Sequence, residues 1–576
     1  MYASKYVAKQ HEERVSAGLR VLKKGIVLMI SVLLNWIYMG ITTFSLGFGI
    51  RKLIEKLLGY SLQNVDSIIM AGVISTTVYA QVFSLFGPVG LWANVGMVLA
   101  AALVCVCYGR EMVQKLLGAW KQQGNVYRVV LILLVAFWAY QTSRGYMMLD
   151  TDLYHAQSIR WLEEYGVVPG LGNLHERFAY NSSFFSFSAL YSMKFLFGQS
   201  LHTGNGFFAL LLSVLCIRIG KCFHRRKLVW SDFARVAGIY YLTIIADEVI
   251  APTSDYCIMC MIFYIVIKWL DELEKGKGDV VPFGLLCVAG VYALTLKLTA
   301  GLILVLVIKP AYQLIREKKW KEIGIFLCSG ILVCAPWMIR TVIISGYLLY
   351  PFPQLDLFSL DWKMAAQRVE IDAANIKVWG RGLYDITLLD LPITAWFQQW
   401  MQSLTTMEKL LILADLLCLA VLSVWMLTCL LKRHWERLDA MLVMVTVAAC
   451  YVFWQLSAPL VRYGYAYILL LAALMGGYFV TLLRKDGMIR LAILAYGCYK
   501  LFIMGSLVWS SRQLDYYVCQ QDYGVYEVRE VSLGKESVFV PLNGGLSGYA
   551  YFPSVPALYN VELRGESFAE GFRPCE

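Results

Sequence analysis

Long apolar runs separated by short polar connections make up most of the chain. Runs of about twenty residues, the length that crosses a hydrocarbon core, recur near 25–47, 67–87, 88–108, 128–143, 203–220, 236–252, 255–270, 280–297, 298–315, 324–345, 409–431, 439–459, 464–483 and 489–509. They predict an all-α polytopic membrane protein with about 13–14 transmembrane helices, one or two of them re-entrant or interfacial. Two polar-rich intervals, 144–202 and 346–408, break the series, and a polar tail, 510–576, follows it. The division expected is a basic segment 1–24, N-terminal helices 25–127, a core 128–345, the second interval, C-terminal helices 409–509 and the tail. Inside the intervals the periodicity changes. Leu153, Ala156, Ile159 and Leu162 recur at helical spacing. An amphipathic helix is predicted over 361–377, and the apolar, aromatic stretch 388–401 suits the membrane interface. Residues 537–541 read as a strand followed by the turn Asn543-Gly544-Gly545, and the tail is expected to fold back on the outer loops.

Composition supports the pattern. The chain is 59% apolar and 16% charged, with a mean hydropathy of +0.60, which excludes a soluble enzyme, a disordered chain and a fibrous protein. Its formal charge of +11 is read first as a topology signal, and no nucleic-acid partner is expected. Lys and Arg cluster in the connections 109–127, 221–235, 309–323, 432–438 and 484–490, while the alternate connections lack such clusters. By the positive-inside rule these clusters face the cytoplasm, and both long intervals and the tail lie outside. The same phase places the basic segment 1–24 outside, against the rule. Either 25–47 is not one simple span or this end departs from the pattern. No cleavable signal peptide is expected there. Most of the cysteines sit in apolar runs and read as small hydrophobes, the Cys257-x-x-Cys260 pair included. Cys519 and Cys575 in the tail are candidates for a disulfide if the tail is extracytoplasmic.

The scarce polar residues carry the candidate chemistry. Asp150 and Asp152 stand just past a span, at the start of the first outer interval. A helix cap explains one such carboxylate. A pair also suits catalysis, one taking a proton from a hydroxyl and the other holding a divalent cation, Mg or Mn, against phosphate charge. His155 lies one turn on, as an orienting or donor-binding residue. His155, His175 and His202 fit no zinc spacing, and 170–173 is not a P-loop. At the next outer turn Asp247, Glu248 and Asp255 follow one another, with Asp255 as either a cap or a second metal or acceptor ligand. Lys297, Arg340 and Arg462, the last beside Tyr463, sit at outer ends of spans, where a cation either snorkels to headgroups or meets a phosphate. Asp415 is a lone mid-span carboxylate of the kind transporters use. No Gly/Pro-interrupted pair of segments recurs in corresponding halves, which weakens a transporter reading.

The acidic residue followed four positions on by a tyrosine, Asp150 and Tyr154 here, opens the first outer loop of a multispan chain. In this the chain resembles the GT-C membrane glycosyltransferases, which include protein mannosyltransferases, lipid A aminoarabinose transferases and bacterial oligosaccharyltransferases. The run from Glu164 through Asn181, with the later Leu563-Arg564-Gly565 and Gly571-Phe572-Arg573, also resembles a family of bacterial multispan membrane proteins. The resemblance implies a GT-C-like core with interfacial loop helices in a bacterial cytoplasmic membrane, its active site facing out. The donor implied is a polyprenyl-phosphate sugar lipid, and the acceptor a cell-envelope or lipid-linked glycan. It implies Asp150 as the base, Asp152 and Asp255 as metal or acceptor ligands, and Lys297, Arg340 and Arg462 on the donor phosphate. Asp152 departs from the adjacent acidic pair commoner in that family. A flippase of lipid-linked saccharides and a noncatalytic scaffold of envelope-glycan assembly are the alternatives.

Overall fold

The computed structural model describes residues 28–144, 147–276, 278–483, 486–510, 523–543 and 545–575. The basic segment 1–24 and Cys519 lie outside these residues, and Cys575 is exposed. Among the described residues ten helices are long and apolar enough to cross a membrane, from Ile30–Leu58 to Gly487–Ser510. Two shorter apolar helices, Val281–Leu296 and Tyr465–Thr481, add to them. The fourteen runs read from the sequence therefore reduce to ten spanning candidates. Two of the four remaining runs form those shorter helices, and the other two fall around residue 250. There the chain forms a 15-residue helix, Trp230–Ile244, and a 22-residue helix, Ser254–Lys275, with charged residues toward both ends. The helices present bare apolar surface outward, as Leu99, Leu103 and Val106 do at 65%, 65% and 85% exposure. Side chains that would be unfavourable in water are at home in lipid. The chain is an all-α, multi-pass membrane protein with a small β-rich tail.

Close helix contacts come from small residues, because lipid supplies no hydrophobic drive between helices. Leu28–Leu58 and Val65–Ser84 cross almost backbone to backbone at Gly47 and Gly72. A Cβ on Gly72 would lie 1.7 Å from the Thr43 carbonyl oxygen, so neither glycine accepts a side chain without separating the pair. The helix Ser254–Lys275 is the central pillar, buried on every face from Asp255 to Leu270. Such all-round burial explains its nearly continuous apolar sequence. It joins the two ends of the bundle, with Asp255 at one and Lys275 at the other, about 30 Å apart at helical rise.

The interval after residue 144 folds as a π-helical turn, Thr151–His155, running into the helix Ala156–Glu164. The predicted amphipathic helix is Ala366–Gly380, and the predicted interfacial stretch is the helix Ile393–Ser403. Trp396 and Trp400 of the latter are buried, and the Trp400 indole donates to the Pro459 carbonyl at 2.8 Å. That face therefore packs on protein. The tail forms two antiparallel hairpins, β1 (Val528–Leu533) with β2 (Glu536–Pro541) and β3 (Val561–Leu563) with β4 (Phe572–Pro574). It docks on the first interval, as expected. Trp161 packs edge-on against Phe552, Phe568 and Phe572, and the Gln157 amide donates to the carbonyls of Gly548 and Tyr551. Gly170 holds a positive φ of 64° with the Phe572 carbonyl over its Cα, a conformation and approach that favour glycine.

Candidate functional site

Three separate stretches of chain meet at the entrance to the first interval. Asp150 precedes the π-helical turn, Asp255 opens the central pillar, and Arg462 lies on the short 3-10 turn Val461–Tyr463. Arg462 bridges the two acids. One guanidinium nitrogen donates to Asp150, and its Nε lies 3.2 Å from Asp255 Oδ2. Lys297 ends the helix Val281–Leu296 in an extended conformation, which carries its ammonium to 2.5 Å from the other Asp255 oxygen. That ammonium also sits 3.3 Å above the Tyr463 ring centroid. The ring's negative face suits it. Arg177 approaches Asp150 Oδ1 at 3.4 Å and lies over the rings of Tyr154 and Trp379. The capping alternative for Asp255 is settled by its neighbour. The Thr253 hydroxyl accepts from the Asp255 amide, so the carboxylate is left for the cations.

Three cations thus face two carboxylates, an excess of one positive charge. The site is shielded without being closed. The Asp255 side chain is only 5% exposed, whereas Arg462 and Lys297 keep 29% and 23%. Burial pushes the Asp150 carboxyl up, but His155, protonated only in the acid range where Asp150 titrates, together with Arg462 and Arg177 outweighs it and holds it below the usual carboxylate range. At neutral pH Asp150 is therefore ionised and only weakly basic in this arrangement.

His155 is buried beside this cluster, against the rings of Tyr154 and Phe185. Burial holds its pKa down to about 4, although Asp150 and Asp255 pull it the other way. It is a neutral imidazole at neutral pH and adds no positive charge for a phosphate. His202, buried against Tyr523, is held to about 3, again chiefly by burial. In an unfolded chain a histidine takes up its proton near pH 6.5. Between pH 6.5 and 4 the unfolded state then holds more protons, so the stability tied to neutral His155 is complete above 6.5 and is lost as pH falls toward 4. His202 extends the same slope to lower pH. Thermal inactivation midpoints of the detergent-solubilised protein should fall over this window, and His155→Gln should flatten the fall. A variant profile as steep as the parent's would refute the assignment.

Other sequence candidates lie elsewhere. Asp152 does not join Asp150, because residues two apart on a helical turn do not face each other. Its carboxylate accepts from the Tyr526 hydroxyl at 2.6 Å, and its carbonyl accepts from the amides of Ser547 and Gly548 at 2.8 Å each. Asp152 is a tail-docking residue, and burial raises its carboxyl pKa more than the Tyr526 bond lowers it. The Asp152 and Asp255 pair expected to hold a metal is thereby divided between separate sets of partners. Among the described residues no group of three or more His, Cys, Asp or Glu is placed to hold a metal ion. The carboxylates that do converge, Asp150 and Asp255, hold Arg462 between them. Arg340 also stands apart, only 2% exposed, donating to Ser84 Oγ at 2.6 Å and Asn181 Oδ1 at 3.1 Å. It braces the loop at Asn181 where a donor-phosphate contact was expected. Asp247 pairs with Arg144, and Glu248 accepts from the Tyr256 hydroxyl. Arg177 was not assigned by sequence reading. It is one of four cations in the first interval, with Arg144, Arg160 and Lys194, and nothing in the sequence sets it apart from them.

Comparison with curated proteins and with solved structures finds no match. A family described as Domain of unknown function (DUF8201) matches residues 29–469, a stretch that includes Asp150, Asp255, Lys297 and Arg462. That stretch covers most of the chain, and the protein belongs to this family.

Proposed function

We propose that the protein is a GT-C-type membrane glycosyltransferase. It transfers a sugar from a polyprenyl-phosphate-linked donor to a cell-envelope or lipid-linked glycan acceptor on the extracytoplasmic side. The observation that carries the reading is Arg462 bridging Asp150 and Asp255 beside Lys297. In the transfer the bond between the anomeric carbon and the phosphate oxygen breaks. A new bond forms to the acceptor oxygen, whose proton passes to the Asp150 carboxylate. The leaving phosphate gains negative charge as its bond breaks, so cations already in place stabilise the transition state. Lys297 and Arg462 are those cations. A phosphate that draws Arg462 away also leaves Asp150 with Arg177 alone, which raises its proton affinity. Donor arrival and readiness of the base are then coupled.

This reading assigns to Lys297 and Arg462 the work a divalent cation does elsewhere. Two outcomes test it in membranes supplied with a short-chain polyprenyl-phosphate hexose. Sugar transfer should continue within about twofold in excess EDTA. Lys297→Met should lower both kcat and kcat/KM for the donor roughly tenfold or more, as loss of a cation that meets charge developing on the leaving phosphate predicts. Abolition of transfer by EDTA, or an unchanged kcat in Lys297→Met, counts against it.

A second reading rests on Asp415. It is fully buried in the helix Thr406–Leu431, and neither carboxyl oxygen has a hydrogen-bond partner among the described residues. An intramembrane acid of this kind suits a proton-coupled flippase of lipid-linked saccharides. Asp415→Asn should abolish translocation under that reading and leave glycosyl transfer intact under the first.

A further inference from the structure

The opposite end of the central pillar holds a second polar site. A cavity of about 750 Å³ opens there, lined by the basic residues Arg218, Lys221, Arg225, Arg235, Lys268 and Lys275. Five of these cations are held by carboxylates. Arg218 and Lys268 share Asp66 at 2.5 Å each, Arg235 meets Asp271 at 2.5 Å, Arg225 meets Asp232 at 2.6 Å, and Lys275 meets Glu272 at 2.5 Å. The wall also holds Asp271, Glu272 and Asp279, so its six basic residues outnumber the acidic ones, and Lys221 forms no ion pair among the described residues.

The cavity runs on into lipid. An apolar groove of about 410 Å³ shares Tyr60, Lys268, Glu272 and Pro282 with it. The groove lies between the helices Leu28–Leu58, Val65–Ser84, Val281–Leu296 and Trp320–Ser345, and its wall includes Leu53 and Leu332, exposed at 49% and 67%. A polar basic chamber continuous with an apolar groove open to the bilayer matches an amphiphile with an anionic head. Basic pockets between membrane helices bind phosphate headgroups in this way. A water-soluble phosphate has no use for the groove, and a zwitterionic headgroup brings its own ammonium in among the six basic residues of the wall.

We propose that this end of the bundle binds one anionic phospholipid, its phosphate beside Lys221 and its acyl chains along the groove. The charge pattern of the connections assigns this end to the cytoplasmic leaflet. The proposal is independent of the glycosyltransferase reading, because it concerns a site at the other end of the pillar.

The test is native mass spectrometry of the full chain. The protein is exchanged into detergent containing equal amounts of dioleoylphosphatidylglycerol and dioleoylphosphatidylcholine, which have the same acyl chains. One phosphatidylglycerol should be retained per chain, with roughly tenfold preference. Lys221→Gln should remove that preference and Lys221→Arg should keep it. Lys221 is exposed and its loss strands no carboxylate, so the variant is expected to fold. Ser329→Phe, in the groove wall, should lower retention of the lipid. Equal retention of the two lipids, or an unchanged preference in Lys221→Gln, overturns the proposal. Full displacement by millimolar inorganic phosphate also overturns it, since that describes a soluble anion site.

Discussion

Replacing Asp150 with Asn should reduce sugar transfer by about 10²- to 10⁴-fold, the range over which a positioned general base acts. Normal amounts of protein should remain in the membrane. The amide keeps the shape of the carboxylate and an oxygen that accepts from Arg177, Arg462 retains Asp255 as its second partner, and Arg177 keeps the rings of Tyr154 and Trp379. The expected readout is loss of one sugar from the envelope glycan, with build-up of the polyprenyl-phosphate donor. Asp152→Asn is the informative control. The Asp152 side chain receives the Tyr526 hydroxyl, while the tail amides bond to its backbone carbonyl, so the replacement weakens one tail contact and should loosen the tail only slightly to limited proteolysis and leave transfer within a few-fold. Loss of transfer in Asp152→Asn with full activity in Asp150→Asn would reverse the two roles. Intact glycans in both variants would favour the scaffold reading.

Replacing Asp66 with Leu should destabilise the protein by roughly 3–5 kcal/mol, the cost of stranding a buried charge. Asp66 is 5% exposed and is shared by Lys268, 4% exposed, and Arg218. Removing it leaves two cations together, one of them deep between the helices Val65–Ser84 and Ser254–Lys275. The thermal aggregation midpoint of the solubilised protein should fall clearly below that of the parent. Adding Lys268→Met should recover part of the loss, because the uncompensated buried charge then disappears. A single variant as stable as the parent, or a double variant no better than the single, would refute this account of the triad.

Sequence and structure diverge most at paired residues. Asp150 and Asp152 look like one motif because they are neighbours, yet two positions on a helical turn send them apart, one to the cations and one to the tail. Asp150 and Asp255 look unrelated across 105 positions, yet a single guanidinium bridges them. Arg340 and Arg462 are alike in sequence context, both near outer ends of spans. Only Arg462 reaches the acids, because it sits on a turn, whereas Arg340 is held within a helix against Ser84 and Asn181. The run near 236–252 shows the same limit for spans. Hydropathy marks apolarity but does not separate a short helix buried among others from one that faces lipid.

The sequence by itself determined that this is a multi-pass membrane protein with polar intervals breaking its helices, since apolar run length answers directly to bilayer thickness. It also marked Asp150, Asp255, Lys297, Arg462 and Tyr463 as residues out of place in an apolar chain. Only the tertiary structure decided which of them meet. An ion pair depends on the relative placement of elements far apart in the chain, set by the packing of every helix between them. The same packing placed a basic chamber and an apolar groove side by side at the other end of the pillar, where the sequence showed a Lys/Arg cluster over 221–235 and separate apolar runs.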